Sequence, residues 1–143
     1  MPIPKFGVSK KQKPMHYSVG AVIKRNGKYL LIDRATPPYG FAGVAGHVDA
    51  GERPEESIFR EVREESGLKI EKKKLLFEEE LDWNWCSKNV KVHYWYLYKA
   101  SVSGRIKINH EETRKIGWYS KKEIKKLKLE PVWKYWFEKL KII

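Results

Sequence analysis

Residues 46–68 read GHVDAGERPEESIFREVREESGL, an order of residue types that predicts a loop, a helix and an abrupt stop. Pro54 suits the first helical turn, Glu55 and Glu56 suit its positive end, and Gly67 ends it, so the helix is expected over 54–66. Ile58, Phe59 and Val62 fall on one side and are expected to face a core. Glu61, Glu64 and Glu65 stand at i, i+3 and i+4, which lets three carboxylates converge. As plain structure this is a poor arrangement. Like charges at that spacing repel by about 0.2–0.5 kcal/mol, and the negative end of the helix dipole adds about 0.3–1 kcal/mol. Arg60 and Arg63 can offset part of this on an ordinary charged surface. The alternative is that a divalent cation supplies the counter-charge. Hard oxygen donors of this kind suit Mg²⁺ or Mn²⁺, which keep several waters and bridge to substrate phosphates.

Upstream, HYSVGAVIKR (16–25) and KYLLIDRA (28–35) are β-rich runs joined by Asn26-Gly27, the dipeptide of a type I′ hairpin. TPPYGFAG (36–43) is a loop. Downstream, strands are expected at LKI (68–70), LLFEEELDWNW (75–85), NVKVHYWYLYKASV (89–102) and KIGWYS (115–120). KKEIKKLKL (121–129) and EPVWKYWFEKLKII (130–143) read as helices, the second with Val132, Trp136 and Leu140 on one face. Strands flanked by helices in this order predict an α/β sandwich with a mixed sheet.

The length of 143 residues bounds the chain to one core. The expected organisation is a basic, loosely docked arm over 1–14 and one domain over 15–143. No apolar run reaches the ~18 residues of a membrane span, and the N-terminus lacks the apolar segment of a secretory signal; a soluble cytoplasmic protein is expected. A single cysteine, Cys86, excludes a disulfide framework and a Cys-based zinc site. The net charge of +12 is unevenly spread. Residues 1–14 carry four lysines and no acid, and 113–143 carry ten basic against three acidic side chains, while the middle is nearly balanced. Lysine-rich ends attract phosphate without reading sequence, or are simply solvated. Seven of the 18 acids lie between Asp49 and Glu65, an acidic knot in a basic protein.

Gly46, Glu52, Arg60-Glu61-Val62, Glu64-Glu65 and Gly67-Leu68 match, without a gap, all nine specified positions of a 23-residue signature. In this the chain resembles the Nudix (MutT-type) hydrolases, whose pattern is G-x5-E-x7-R-E-U-x-E-E-x-G-U with U aliphatic. The resemblance covers about residues 16–129 and implies a Nudix α/β/α sandwich with a mixed β-sheet. It also implies hydrolysis of a nucleoside diphosphate linked to another moiety, by metal-assisted attack of water on phosphorus. Carried over by position, Glu61, Glu64 and Glu65 are the metal-binding carboxylates, with Glu61 either a ligand or the group that activates water. Glu52 and Arg60 support them, Arg60 by bridging carboxylates. Many family members enter the box with Pro-Gly-Gly and lend a backbone carbonyl to the metal. Here the sequence is Val44-Ala45-Gly46, so that ligand falls to Ala45, with less backbone freedom. A further carboxylate from outside the box is Glu111 or, preferably, Glu112, six residues before Trp118. Gly67 is expected to cap the helix in the left-handed conformation.

Six Trp and eight Tyr are many for this length. Trp118, Trp133 and Trp136 are expected in the core. Tyr39, Phe41, Trp83 and Trp85, in or near loops, are expected to offer a face to a nucleobase, and Arg34 a charge to phosphate. His47 touches phosphate or is structural, and His93 is expected to be packed. The implied partner is a nucleotide, with Mg²⁺ or Mn²⁺ as cofactor, no membrane, and a monomer or homodimer as the working unit. Hydrolysis of RNA 5′ ends is less favoured, because the positive excess is terminal rather than around the motif. A Nudix module that senses a nucleotide without cleaving it is the other alternative; losing a box glutamate would favour it, and none is lost here.

Overall fold

The computed structural model describes residues 3–86, 90–108, 111 and 113–143. Its organising element is a long strand, β2 (Pro14–Arg25), preceded by the short β1 (Phe6–Val8). One edge of β2 runs parallel to β7 (Val92–Ser103), with His16 beside His93 and Ile23 beside Ala100. Three antiparallel partners share its other edge in succession: β1 at Pro14–His16, β5 (Val44–His47) at Ser18–Ala21, and β3 (Lys28–Arg34) at Lys24–Arg25. β3 also pairs with β4 (Phe41–Ala42) and β8 (Thr113–Tyr119), and β6 (Lys69–Leu81) forms the far edge against β7. The sheet is therefore mixed, as expected.

Side chains alternate across this sheet. Val19, Ala21, Ile23 and Val44 pack on one face against Ile58 and Val62 of α1 (Pro54–Ser66). Val22, Trp95 and Leu97 pack on the other against Val132, Trp133 and Trp136 of α3 (Pro131–Lys139), joined by Ile124 of α2 (Lys121–Ile124). Helix, sheet and helix layers enclose two cores, one on each side.

Local expectations hold where the signal is local. Asn26 and Gly27 both take positive φ, 53° and 76°, as a type I′ turn requires. The helix over 54–66 has the expected bounds, and Gly67 at φ 77° sends its N–H to the Arg63 carbonyl. Other expectations give way. The two strands at 68–70 and 75–85 are one strand, β6, with two register shifts, and it stops at Leu81. Past that point Asn84 turns inward, where its Oδ1 accepts from Trp95 Nε1 at 2.7 Å. The helix at 121–129 shrinks to four residues because the chain leaves it to reach β4, where Phe41 N donates to Lys128 O at 2.8 Å. Phe59 is exposed, since the buried arc of α1 centres on Ile58 and Val62. Trp118 is half-buried, with the Arg25 guanidinium stacked 4.4 Å from its ring centre. The N-terminal segment is docked: β1 pairs with β2, Lys5 N donates to Val48 O at 2.7 Å, and Ala50 N donates to Ile3 O at 2.8 Å.

Candidate active site

Helix α1 starts with the Glu56 carboxylate accepting from Arg53 N at 3.0 Å. Its buried face holds it against β2 and β5, which brings its third turn over Gly46. A side chain at position 46 would meet Glu61: a Cβ there would sit 2.1 Å from the Glu61 Cδ. Only glycine leaves room for that carboxyl.

Arg60 is the hub of the acidic knot. Its Nε donates to Glu52 Oε2 at 2.8 Å and its Nη2 to Glu52 Oε1 at 3.0 Å, a two-pronged pair. Nη1 donates to Glu61 Oε1 at 2.7 Å and to Glu64 Oε2 at 3.3 Å, and Nη2 also donates to His47 O at 3.1 Å. Asp49 lies 3.2 Å from the same guanidinium. The Arg60 bond pulls the Glu52 carboxyl down to a pKa of about 2, helped by the Ser57 hydroxyl and the Asp49 N–H. Glu61 moves the opposite way. Burial pushes its pKa up to about 7, only partly offset by Arg60, and its carboxyl hydrogen-bonds that of Glu65. Glu64 stays half exposed at the rim.

Beside this knot a cavity of about 670 Å³ opens between the sheet and the loops, lined in part by Ala45, Gly46, Arg60, Glu61 and Glu65. Arg34 and Glu130 also line it. Glu130, the N-cap of α3, is buried, and burial pushes its pKa up to about 7 against the pull of Arg34. The Arg34 Nε stands 3.4 Å from Glu130 Oε2 but donates to Pro38 O at 2.8 Å. A 670 Å³ cavity is of the size that holds a small-molecule ligand.

Comparison with known proteins settles the family: the NUDIX domain model matches residues 14–140. The chain belongs to the Nudix family. A solved MutT NUDIX hydrolase from Burkholderia pseudomallei is 26% identical and superposes with a TM-score of 0.67, over 76% of this chain and 85% of that one. The NUDIX domain of Shewanella oneidensis NrtR, solved in complex with ADP ribose, superposes at 0.72 over 87% of this chain and 85% of that one; at 16% identity it shows the fold alone. A curated relative named ADP-ribose pyrophosphatase, from Methanocaldococcus jannaschii, is 41% identical over 61 residues. That match takes in 41% of this chain and 36% of the relative.

Within the Nudix box the structure gathers Glu52, Arg60, Glu61, Glu64 and Glu65, with Ala45 and Gly46 on the strand beneath. Nudix hydrolases work with a divalent metal, and the residues here fit one. Glu61 and Glu65, carboxyls held together by a hydrogen bond, are oxygen donors of the hard kind such ions take, and Gly46 leaves the space that keeps them there. Of the residues expected to meet the nucleotide, Arg34 and Trp85 line the cavity, and Tyr39, Phe41 and Trp83 do not. Tyr39 is exposed, Phe41 packs edge-on to Tyr119, and Trp83 lies edge-on to Tyr135 on the outer side of α3. Glu112 lies outside the described residues; Glu111 is exposed in the turn before β8. Sequence reading passed over Glu130, seeing Glu130-Pro131 only as the start of a helix. It also passed over His16, whose signal was a repeated His-Tyr pair: His16-Tyr17 and His93-Tyr94 are register partners. Among the described residues no helix is long and apolar enough to cross a membrane.

Proposed function

We propose that the protein hydrolyses the diphosphate of a nucleoside diphosphate linked to another moiety, with ADP-ribose the first substrate to test. The observation that carries this reading is that Arg60, Glu61 and Glu65 line a cavity large enough for a nucleotide while Arg60 also holds Glu64. Glu61, Glu64, Glu65 and the Ala45 carbonyl would hold Mg²⁺ or Mn²⁺, which when bound neutralises two phosphates and lowers the cost of forming a nucleophile from water. Arg60 fixes the carboxylate rotamers, and the Glu52 pair in turn fixes Arg60. Trp85 offers a face to the base and Arg34 a charge to phosphate. The ADP-ribose choice is supported by the name of the 41%-identical relative, which matches over 61 residues only. The catalytic unit is one domain over 15–143, with 1–14 as a basic arm. We place the protein in the cytoplasm, as monomer or homodimer.

The test is release of AMP and ribose 5-phosphate from ADP-ribose with Mg²⁺ or Mn²⁺, beside a panel of nucleoside triphosphates and 5′-triphosphate RNA. Turnover that falls about 100-fold or more in Glu64→Gln and Glu65→Gln supports the assignment. Unchanged turnover in both variants refutes it. Preference for RNA ends or for a triphosphate replaces the substrate, and tight nucleotide binding without turnover makes the protein a sensor.

A further inference from the structure

Three histidines and the one cysteine meet beside the Nudix box, and His47, Cys86 and His93 line the same cavity as Glu61 and Glu65. His16 on β2 and His93 on β7 are register neighbours. His47 ends β5, opposite Ser18, and Ser18 lies two residues from His16 on the same face of the sheet. The loop after β6 turns back, with Cys86 N donating to Val90 O at 3.3 Å, and sets Cys86 Sγ 3.9 Å from His16 Nδ1. The His16 ring lies 4.7 Å from that of His47 and 5.7 Å from that of His93, while Phe6 of β1 covers it edge-on at 4.6 Å. One donor atom from each of the four residues lies within 4.8 Å of all the others.

His93 lies deep in this cluster. Its residue exposure is only 2%, and its ring has the Asn84 backbone as a neighbour but no hydrogen bond of good geometry among the described residues. Burying an imidazole without strong partners is costly, so a histidine kept there gains from a ligand.

We propose that His16, His47, Cys86 and His93 form a second metal centre, a closed tetrahedral site for Zn²⁺. Imidazole and thiolate donors select zinc over the hard Mg²⁺ or Mn²⁺ that suits the box carboxylates. Bond lengths of about 2.0–2.1 Å to nitrogen and about 2.3 Å to sulfur put tetrahedral donors about 3.3–3.6 Å apart. The observed spread, within 4.8 Å, therefore has to close by up to about 1.5 Å. With four protein donors the site is structural: it clips the loop carrying Asn84 and Trp85 to three strands, and so holds one wall of the nucleotide cavity. Counting cysteines excludes a Cys-based zinc site but not one built mainly on histidine. One thiolate is enough when three strands supply the imidazoles.

The test uses the full chain, stripped of metal and titrated with Zn²⁺ against a competing chelator in excess Mg²⁺, then with Co²⁺ as a spectroscopic probe. The expected result is one tightly bound zinc. The cobalt form should show a thiolate charge-transfer band in the near ultraviolet and the intense visible bands of a four-coordinate ion. Cys86→Ser, at a half-exposed loop position, should abolish the charge-transfer band and weaken zinc binding about 100-fold or more. His93→Gln should weaken it similarly, and Glu64→Gln with Glu65→Gln should leave it intact. Absence of stoichiometric zinc in the wild type overturns the proposal. So does a six-coordinate cobalt spectrum without a thiolate band, or zinc lost on changing the glutamates and kept on changing Cys86. If His93→Gln does not fold, the wild-type spectrum and Cys86→Ser decide.

Discussion

Replacing Glu130 with glutamine measures which of two opposed effects governs the buried end of the cavity. The Glu130 side chain is only 7% exposed, which disfavours its charged form. The Arg34 guanidinium beside it favours that form, but it reaches one carboxylate oxygen at 3.4 Å and is committed to the Pro38 carbonyl. Burial therefore wins, and the pKa rises from 4.5 to about 7. Below about pH 4.5 the carboxyl is protonated in folded and unfolded chains alike, and it costs nothing relative to glutamine. Between 4.5 and about 7 the unfolded chain ionises while the folded chain holds its proton, so stability falls as pH rises. Above both values the full cost is present, about 3 kcal/mol from the difference in pKa. Urea unfolding of wild type and Glu130→Gln at about pH 4.5, 6 and 8 reads this directly. The wild type should lose about 3 kcal/mol relative to the variant across that range. A constant difference, or a wild type that gains on the variant as pH rises, would show that the Arg34 attraction outweighs burial and would refute the reasoning.

Gly46→Ala places a methyl 2.1 Å from the Glu61 Cδ, so it should cost about 1–3 kcal/mol in urea unfolding and displace Glu61 enough to remove hydrolysis; unchanged stability and turnover would contradict the packing described here. Glu52 runs opposite to Glu130: with a folded pKa of about 2 against 4.5, its contribution is complete above 4.5 and fades as pH falls toward 2. The stability gap between wild type and Glu52→Gln should therefore narrow on acidification through that window, and a gap that widens instead would reverse the sign assigned to the Arg60 pair. Trp85→Ala should raise KM for the nucleotide about tenfold with kcat little changed, whereas Trp83→Ala, outside the cavity, should leave both alone; equal effects of the two would remove Trp85 from the base site.

What could be read from the sequence was short in range. The helix over 54–66 and the turn at Asn26-Gly27 depend on neighbours within four residues, and the glutamates at 61, 64 and 65 share a face because helical geometry allows nothing else. The box could therefore be assembled by spacing alone, down to the glycine that ends the helix. Tertiary structure decided everything that needs two distant segments to meet. Phe59 shares its apolar character with Ile58, but only the packing of α1 on the sheet shows that it misses the buried arc. Of five residues offered to the nucleotide, only Arg34 and Trp85 reach the cavity, because loop paths rather than composition choose its walls. Glu130 becomes a buried acid only when α3 docks beneath β4. His16, His47, Cys86 and His93 are separated by up to 77 positions along the chain. The parallel register of β2 and β7, the antiparallel register of β5 and one folded loop bring them together, and strand register is set by the whole sheet's burial pattern rather than by any stretch of sequence.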